Sequence, residues 1–288
     1  MKFCKQTTVL TLIICFTSFV ATLIGIFSNS GKGSYSFKTI RGETIEIYGK
    51  GIYRHMSSDV AIQGIAQDYV TLFIGIPLLL FGLFFYRKGK SNAKFLLTGV
   101  LLYFFLTYLF YTAMAMYNEL FLAYVVLLSC SFFALILNLI SFDYKSKLLK
   151  SDKNIIITGY FLIANSILIA LLWLSVILPP LVNQSIYPVE LHHYTTLIVQ
   201  GFDLGIFLPM GFVSALLALR KNNFGKIFTT IYIVFLSLLM TALTSKVIFM
   251  ANAGANVVPV IFIMPAFGIF STILSFQLLR QIKTEETE

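Results

Sequence analysis

Two ionisable residues stand inside otherwise charge-free apolar runs, Asp203 and Lys246. A charge in such a place is costly unless it is paired, hydrated or used, so these residues are where chemistry is to be sought first. Both lie about seven residues from the same end of their runs, or roughly 10 Å deep at the helical rise. Equal depth and opposite charge predict an ion pair between neighbouring helices, either as a neutralising lock or as part of a ligand pocket. Other polar groups gather on that side: Asp68 heads one run, Asn118 and Glu119 occupy a short turn, and Gln200 precedes Asp203. Asp68, Asn118, Glu119, Gln200, Asp203 and Lys246 together form the candidate ligand-binding pocket. Away from it, Asn165 is the strongly polar residue near the middle of a run, and Asn138 sits near an opposite end.

Other chemistries find less support. Glu190, His192 and His193 invite a metal reading, but adjacent helical residues point apart and only Glu190 and His193 would share a face. His55 is the one further imidazole, and no HExxH spacing occurs, so neither metal nor cofactor is expected. A nucleophile elbow is missing, and Gly49 and Gly51 are not followed by the helix start that a phosphate cradle needs. Cys4, Cys15 and Cys130 suit small packing residues better than a disulfide framework.

The elements that must position these groups follow from the spacing of charge. Only 11% of the 288 residues are charged and 58% are hydrophobic, against about 25% charged in a typical soluble domain. No Asp, Glu, Lys or Arg occurs between Lys5 and Lys32, Lys94 and Glu119, Lys153 and Glu190, or Lys246 and Arg280. Runs of this length satisfy their backbone in hydrocarbon only as helices. The expected fold is an all-α integral membrane protein, one membrane domain over residues 1–288. Its bundle holds about eight transmembrane helices, near 8–27, 69–86, 95–116, 121–141, 155–178, 197–219, 227–249 and 258–279. Pro77, Pro209, Pro259 and Pro265 should kink the second, sixth and eighth. The aromatic run from Tyr103 to Tyr111 reads as packing. The halves share neither motifs nor loop lengths, so no internal repeat is expected.

Residues 28–68 form the longest connection and read as a small extracytoplasmic β-like cap. Tyr35, Phe37 and Thr39 alternate, Arg41-Gly42-Glu43 turns, and the stretch from Thr44 to Tyr48 alternates again before a second turn at Gly49-Lys50-Gly51. Ser57 or Ser58 should cap a helix that begins at Asp59. Tyr117-Asn118-Glu119-Leu120 is short enough to make a tight antiparallel hairpin.

Orientation rests on basic residues. Lys2 and Lys5, Arg87 to Lys94, Lys145, Lys147, Lys150 and Lys153, Arg220 to Lys226, and Arg280 with Lys283 all fall on one side. No short loop on the other side carries Lys or Arg. The rule that basic loops stay inside puts both termini in the cytoplasm and the protein in the plasma membrane. The net charge of +9 then reflects contact with anionic lipid headgroups, and nucleic acid is not an expected partner. The first apolar run exceeds the ~7–15 residues of a signal-peptide core and lacks an A-x-A site, which favours an uncleaved anchor.

Three strings carry a resemblance. They are Arg41-Gly42-Glu43 with Tyr48-Gly49-Lys50-Gly51-Ile52-Tyr53-Arg54, then Gln67-Asp68-Tyr69-Val70-Thr71-Leu72, then Asp203-Leu204-Gly205 with Pro209; Tyr117-Asn118 falls between. In this order the chain resembles a set of uncharacterised bacterial multi-pass membrane proteins. The resemblance implies a shared fold and no activity, so no site residue follows from it.

The pocket suits binding or sensing of a small molecule or lipid headgroup from the outer face, with membrane lipids as surroundings. A permease is the second reading and needs a polar path to the cytoplasm. An integral membrane enzyme acting on lipid is the third, and would bring Asp68, Glu190, His192 or His193 and Asp203 close together.

Overall fold

The computed structural model describes residues 3–145, 151–183 and 187–283. Lys2, Lys147 and Lys150 of the basic clusters lie outside the described residues. Among the described residues, eight helices are long and apolar enough to cross a membrane. They are α1 (Cys4–Phe27), α2 (Ser58–Arg87), α3 (Ser91–Met114), α4 (Phe121–Leu139), α5 (Lys153–Val182), α6 (Ile198–Leu219), α7 (Asn223–Asn252) and α8 (Val260–Gln281). The expected helix positions hold, with two differences in length. The helix opened at Ser58 runs unbroken into the second apolar run, and α5 continues through Pro179 and Pro180 to Val182. At Ser57 the position is right for a cap, but its hydroxyl makes no capping bond and lies 3.3 Å from His192 Nδ1.

The cap holds a two-stranded antiparallel hairpin, β1 (Tyr35–Lys38) and β2 (Thr44–Ile47), in the register Tyr35↔Ile47 to Lys38↔Thr44. Gly49 and Gly51 in the second turn have φ of 71° and 58°, a region where a side chain is strained. A Cβ on Gly51 would also strike the backbone of Ser28. The turn therefore lies flat on the end of α1, where Ser28 Oγ accepts the Ile52 N–H at 2.8 Å.

In the bundle, α3 and α7 are the most buried helices and pack on each other at the centre. Their buried faces explain the aromatic run: Tyr103, Phe104 and Tyr108 are fully inside. Around them α1 packs on α2 and α4, while α5 packs on α6 and α8.

This arrangement corrects the expectation of no internal repeat. Thr71–Gly75 in α2 and Asp203–Phe207 in α6 are both five-residue π turns, each followed by a proline in the second position of the next helical stretch. Pro77 and Pro209, Lys88 and Arg220, and Lys94 and Lys226 are each 132 positions apart, as are the starts of the two π turns and of α3 and α7. Both lysines reach the chain joining the halves: Lys94 donates to Ser141 O at 2.7 Å, and Lys226 to Asp152 Oδ1 at 2.6 Å. Helices α1–α4 and α5–α8 thus share a register of corresponding features 132 positions apart, and are called the two copies below. Four helices return the chain to its starting side, so the copies run parallel rather than inverted.

Candidate functional site

The copies do not close symmetrically. α2 packs along α7, whereas α6 touches α3 only near its beginning. A cavity of about 260 Å³ lies where α6 stands away, bounded by α2, α3, α5, α6 and α7, with Met56 beneath the cap and Met264 of α8 completing the wall. Its lining is mostly apolar, with Phe110, Leu172, Phe207, Leu236 and Met240 among the contributors. Few polar groups face an apolar space of this kind, and those that do set what it can hold.

Asp203 and Lys246 both line the cavity. They do not form the expected ion pair. Asp203 Oδ2 instead accepts the indole N–H of Trp173 on α5 at 2.9 Å. The π turn explains the geometry: it inserts one residue into the helical repeat, which swings Asp203 off the face a regular helix would give it and toward α5. Among the described residues Lys246 has neither a hydrogen bond nor an ion pair. Its neighbour Ser245 donates to Ala66 O at 3.2 Å, so α7 is pinned to α2 directly beside it.

Two buried amides also belong to the lining, beside Gln63, Thr107, Tyr111 and Tyr232. Gln67 is buried on α2, where its Nε2 donates to Tyr103 Oη at 2.8 Å and to Thr107 Oγ1 at 3.1 Å. Asn165 of α5 is 1% exposed. The carbonyl oxygens of both amides, Gln67 Oε1 and Asn165 Oδ1, are buried without a hydrogen-bond partner. A buried acceptor left alone costs about 1–3 kcal/mol, so each is a place where a donor on a ligand or a water gains binding energy. The cavity thus offers one ammonium and one carboxylate held by an indole between mostly apolar walls, with two unpartnered amide oxygens buried in the residues that form the wall.

The other pocket candidates go elsewhere. Asp68 is 1% exposed and lies behind Tyr111, which does line the cavity. Its carboxylate accepts Tyr53 Oη at 2.5 Å and Tyr111 Oη at 2.9 Å. Burial, and next the charge of Asp68, push the Tyr53 phenol well above its ordinary value, which keeps it a donor. α1 seals this cluster, because a Cβ on Gly25 would overlap the Asp68 carboxylate. Asn118 shapes the α3–α4 turn, accepting the Leu120 N–H at 2.9 Å and donating to Met116 O at 3.1 Å. Glu119 is exposed and forms an ion pair with Arg54 of the cap. Its own backbone N–H, and next Arg54, hold its carboxyl below the usual range. Gln200 is not part of the lining.

The grouping that would favour an enzyme is not formed. His193 donates from Nε2 to His55 O at 3.1 Å, and His192 lies against Ser57. Both imidazoles join the chain before α6 to the cap. Among the described residues no three His, Cys, Asp or Glu side chains converge as metal ligands would. Sequence reasoning missed Trp173, although it is the sole tryptophan among 29 Phe and 15 Tyr. An indole N–H needs a partner when buried, and that was the available signal.

Comparison of the chain with protein-family models, with curated proteins and with solved structures returned no match.

Proposed function

We propose that the protein is a multi-pass protein of the plasma membrane that binds a small molecule, or the headgroup of a lipid, in the cavity beneath its cap. The observation that carries this reading is the separation of Lys246 from Asp203. A lysine that serves only to neutralise a neighbour would contact it; Lys246 feels the charges of Asp203 and Asp68 but bonds to neither, and it lines an apolar-walled space together with Gln67 and Asn165. Such a lining suits a compact amphipathic ligand with an acidic group for Lys246 and hydroxyl or amine donors for Gln67, Asn165 and Asp203. The cap belongs outside the cell and both termini belong in the cytoplasm, since the short loops away from the cap are the basic ones.

The test is mass spectrometry of small molecules retained by protein purified in mild detergent. Wild type should carry an acidic species that Lys246→Met loses. Identical contents in the two would sink the reading. Orientation is tested separately, in a background without the native cysteines. Cysteine at Ser34 should react with an impermeant thiol reagent in intact cells and cysteine at Ser91 should not.

A permease is the second reading, and one observation favours it. Parallel repeats are an arrangement found in transporters, and the two π turns here fall at the same level of the two copies. Uptake of the retained species into proteoliposomes would select this reading over simple binding.

A further inference from the structure

A second opening lies at the far end of the bundle from the cap, between α2, α3, α7 and α8, with a volume of about 570 Å³. Its walls are Ile74, Leu78, Leu96, Val100, Leu238 and Phe276, among others. Three hydroxyls in the wall are turned back onto their own helices: Ser237 donates to Val234 O, Thr241 to Ser237 O, and Thr272 to Gly268 O, at 2.7–2.8 Å. These three are spent and present their carbon faces to the groove, so its body is apolar apart from the Ser275 hydroxyl.

The groove's end is different. Lys90, from the α2–α3 turn, and Arg280, from the last turn of α8, stand at its mouth, both exposed, and no acidic residue lines any part of it. Arg280 is held in place by stacking its guanidinium over Phe276 at 4.2 Å. The apolar body extends roughly 12–16 Å, taking 1.5 Å per residue from Arg280 back to Thr272 and from Phe85 back to Ile74. That is about half of a ~30 Å hydrocarbon core, the depth of a single leaflet.

We propose that this groove is a binding site for one anionic glycerophospholipid of the leaflet on the side away from the cap, its phosphate between Lys90 and Arg280 and an acyl chain along α2, α7 and α8. The inference rests on the chain crossing a membrane, and it is independent of what the cavity under the cap binds. Charge complementarity selects the anionic headgroup: two cations without a carboxylate between them repel each other, and a phosphate relieves this while accepting hydrogen bonds from both. Depth selects a lipid over a soluble anion, because a free phosphate would leave the apolar body unfilled.

The experiment uses full-length protein in mild detergent, titrated with phosphatidylglycerol or phosphatidylcholine and read by native mass spectrometry and by melting temperature. Wild type should bind phosphatidylglycerol more tightly than phosphatidylcholine and gain more thermal stability from it. Lys90→Ala with Arg280→Ala should weaken phosphatidylglycerol binding about thirty-fold, a factor of roughly five for each cation. The pair Arg220→Ala with Lys221→Ala, on the same end of the bundle but outside the groove, should leave the preference intact. Val100→Trp, which fills the body, should release both lipids. Equal binding of the two lipids by wild type overturns the proposal. So does an equal loss in the two alanine pairs, which would mean diffuse attraction to a basic surface. Inorganic phosphate competing as well as the lipid would overturn it too.

Discussion

Helices α2 and α6 are interrupted at the same point of the two copies and put an acid to opposite use there. In the common register Asp203 of α6 corresponds to Thr71 of α2, and Asp68 of α2 to Gln200 of α6. In the first copy Thr71 shares a 2.9 Å hydrogen bond with Tyr103, and Asp68 is enclosed by two phenols under α1. The hydroxyls of Tyr108 and Tyr124 and the Gln67 Oε1 stay buried there without a partner, but the acid itself is enclosed. In the second copy the acid has moved into the π turn, its partner is a single indole, and the space beside it is empty of side chains. The two halves thus differ in where the acid sits: enclosed by two phenols in the first, and beside an open space in the second.

The comparison breaks most readily at Asp68. Asp68→Ala strands the buried Tyr53 phenol, while Tyr111 keeps the Gly64 carbonyl at 2.9 Å, and should cost about 2–3 kcal/mol of stability, measured as thermal or denaturant unfolding in detergent, whereas Asp68→Asn should recover a good part of it. A loss no greater than that of Asp203→Ala would mean that the copies do not differ as described. Next in size is Gly51→Val, which places a β-branched residue at positive φ against Ser28 and should cost roughly 1–3 kcal/mol. Its damage should stay in the cap, visible as faster proteolysis near Arg41, while the bundle still inserts.

The second copy should respond weakly. Asp203→Ala removes a single partly exposed hydrogen bond and should lower stability by about 1 kcal/mol or less. Lys246→Met should leave the melting temperature unchanged or raise it, since it replaces an unpaired cation by an apolar chain. Both should alter retention of the bound species, which Asp68→Asn should not.

The smallest effect concerns pH. Burial, chiefly, holds the His193 imidazole below its ordinary value. The folded cap therefore takes up a proton at lower pH than the unfolded chain does. The stability this confers is complete above the ordinary value of ~6.5 and is lost as pH falls through the lowered one. Geometry agrees with the sign: Nε2 already donates to His55 O, and Nδ1 is buried without a partner that a second proton could reach. Proteolysis of the hairpin should accelerate between pH 7.5 and 5, and His193→Phe should flatten that dependence.

How much of this was legible in the sequence depends on the range of the signal. Gaps between charges and side-chain alternation are local; the first placed the eight helices and the second the hairpin with its two glycine turns. Matched depth brought Asp203 and Lys246 to one cavity, because helical rise is nearly constant. Depth says nothing about rotation, and the π turn that points Asp203 at Trp173 shifts the face without shifting the level. The same turn, flanked by Pro77 and Pro209, was the signature of the repeat. It escaped notice because only scattered residues recur at that spacing: two prolines, a basic turn and the lysines at 94 and 226. Asp68 reads in sequence as a residue at the mouth of a span. Only once the helix is known to begin at Ser58 does it fall well inside.

Arg41 gives the cap a reach beyond its own packing. Its guanidinium grips the carbonyls of His192 at 3.0 Å and Tyr194 at 2.9 Å and lies over the Tyr187 ring, and the chain it holds enters α6 four residues later, at Ile198. The hairpin is in effect a handle on a short tether whose other end is the helix carrying Asp203. A pull on the handle, whether from an antibody fragment or from a neighbouring protein, would be felt at the cavity wall through covalent chain rather than through the packed interior.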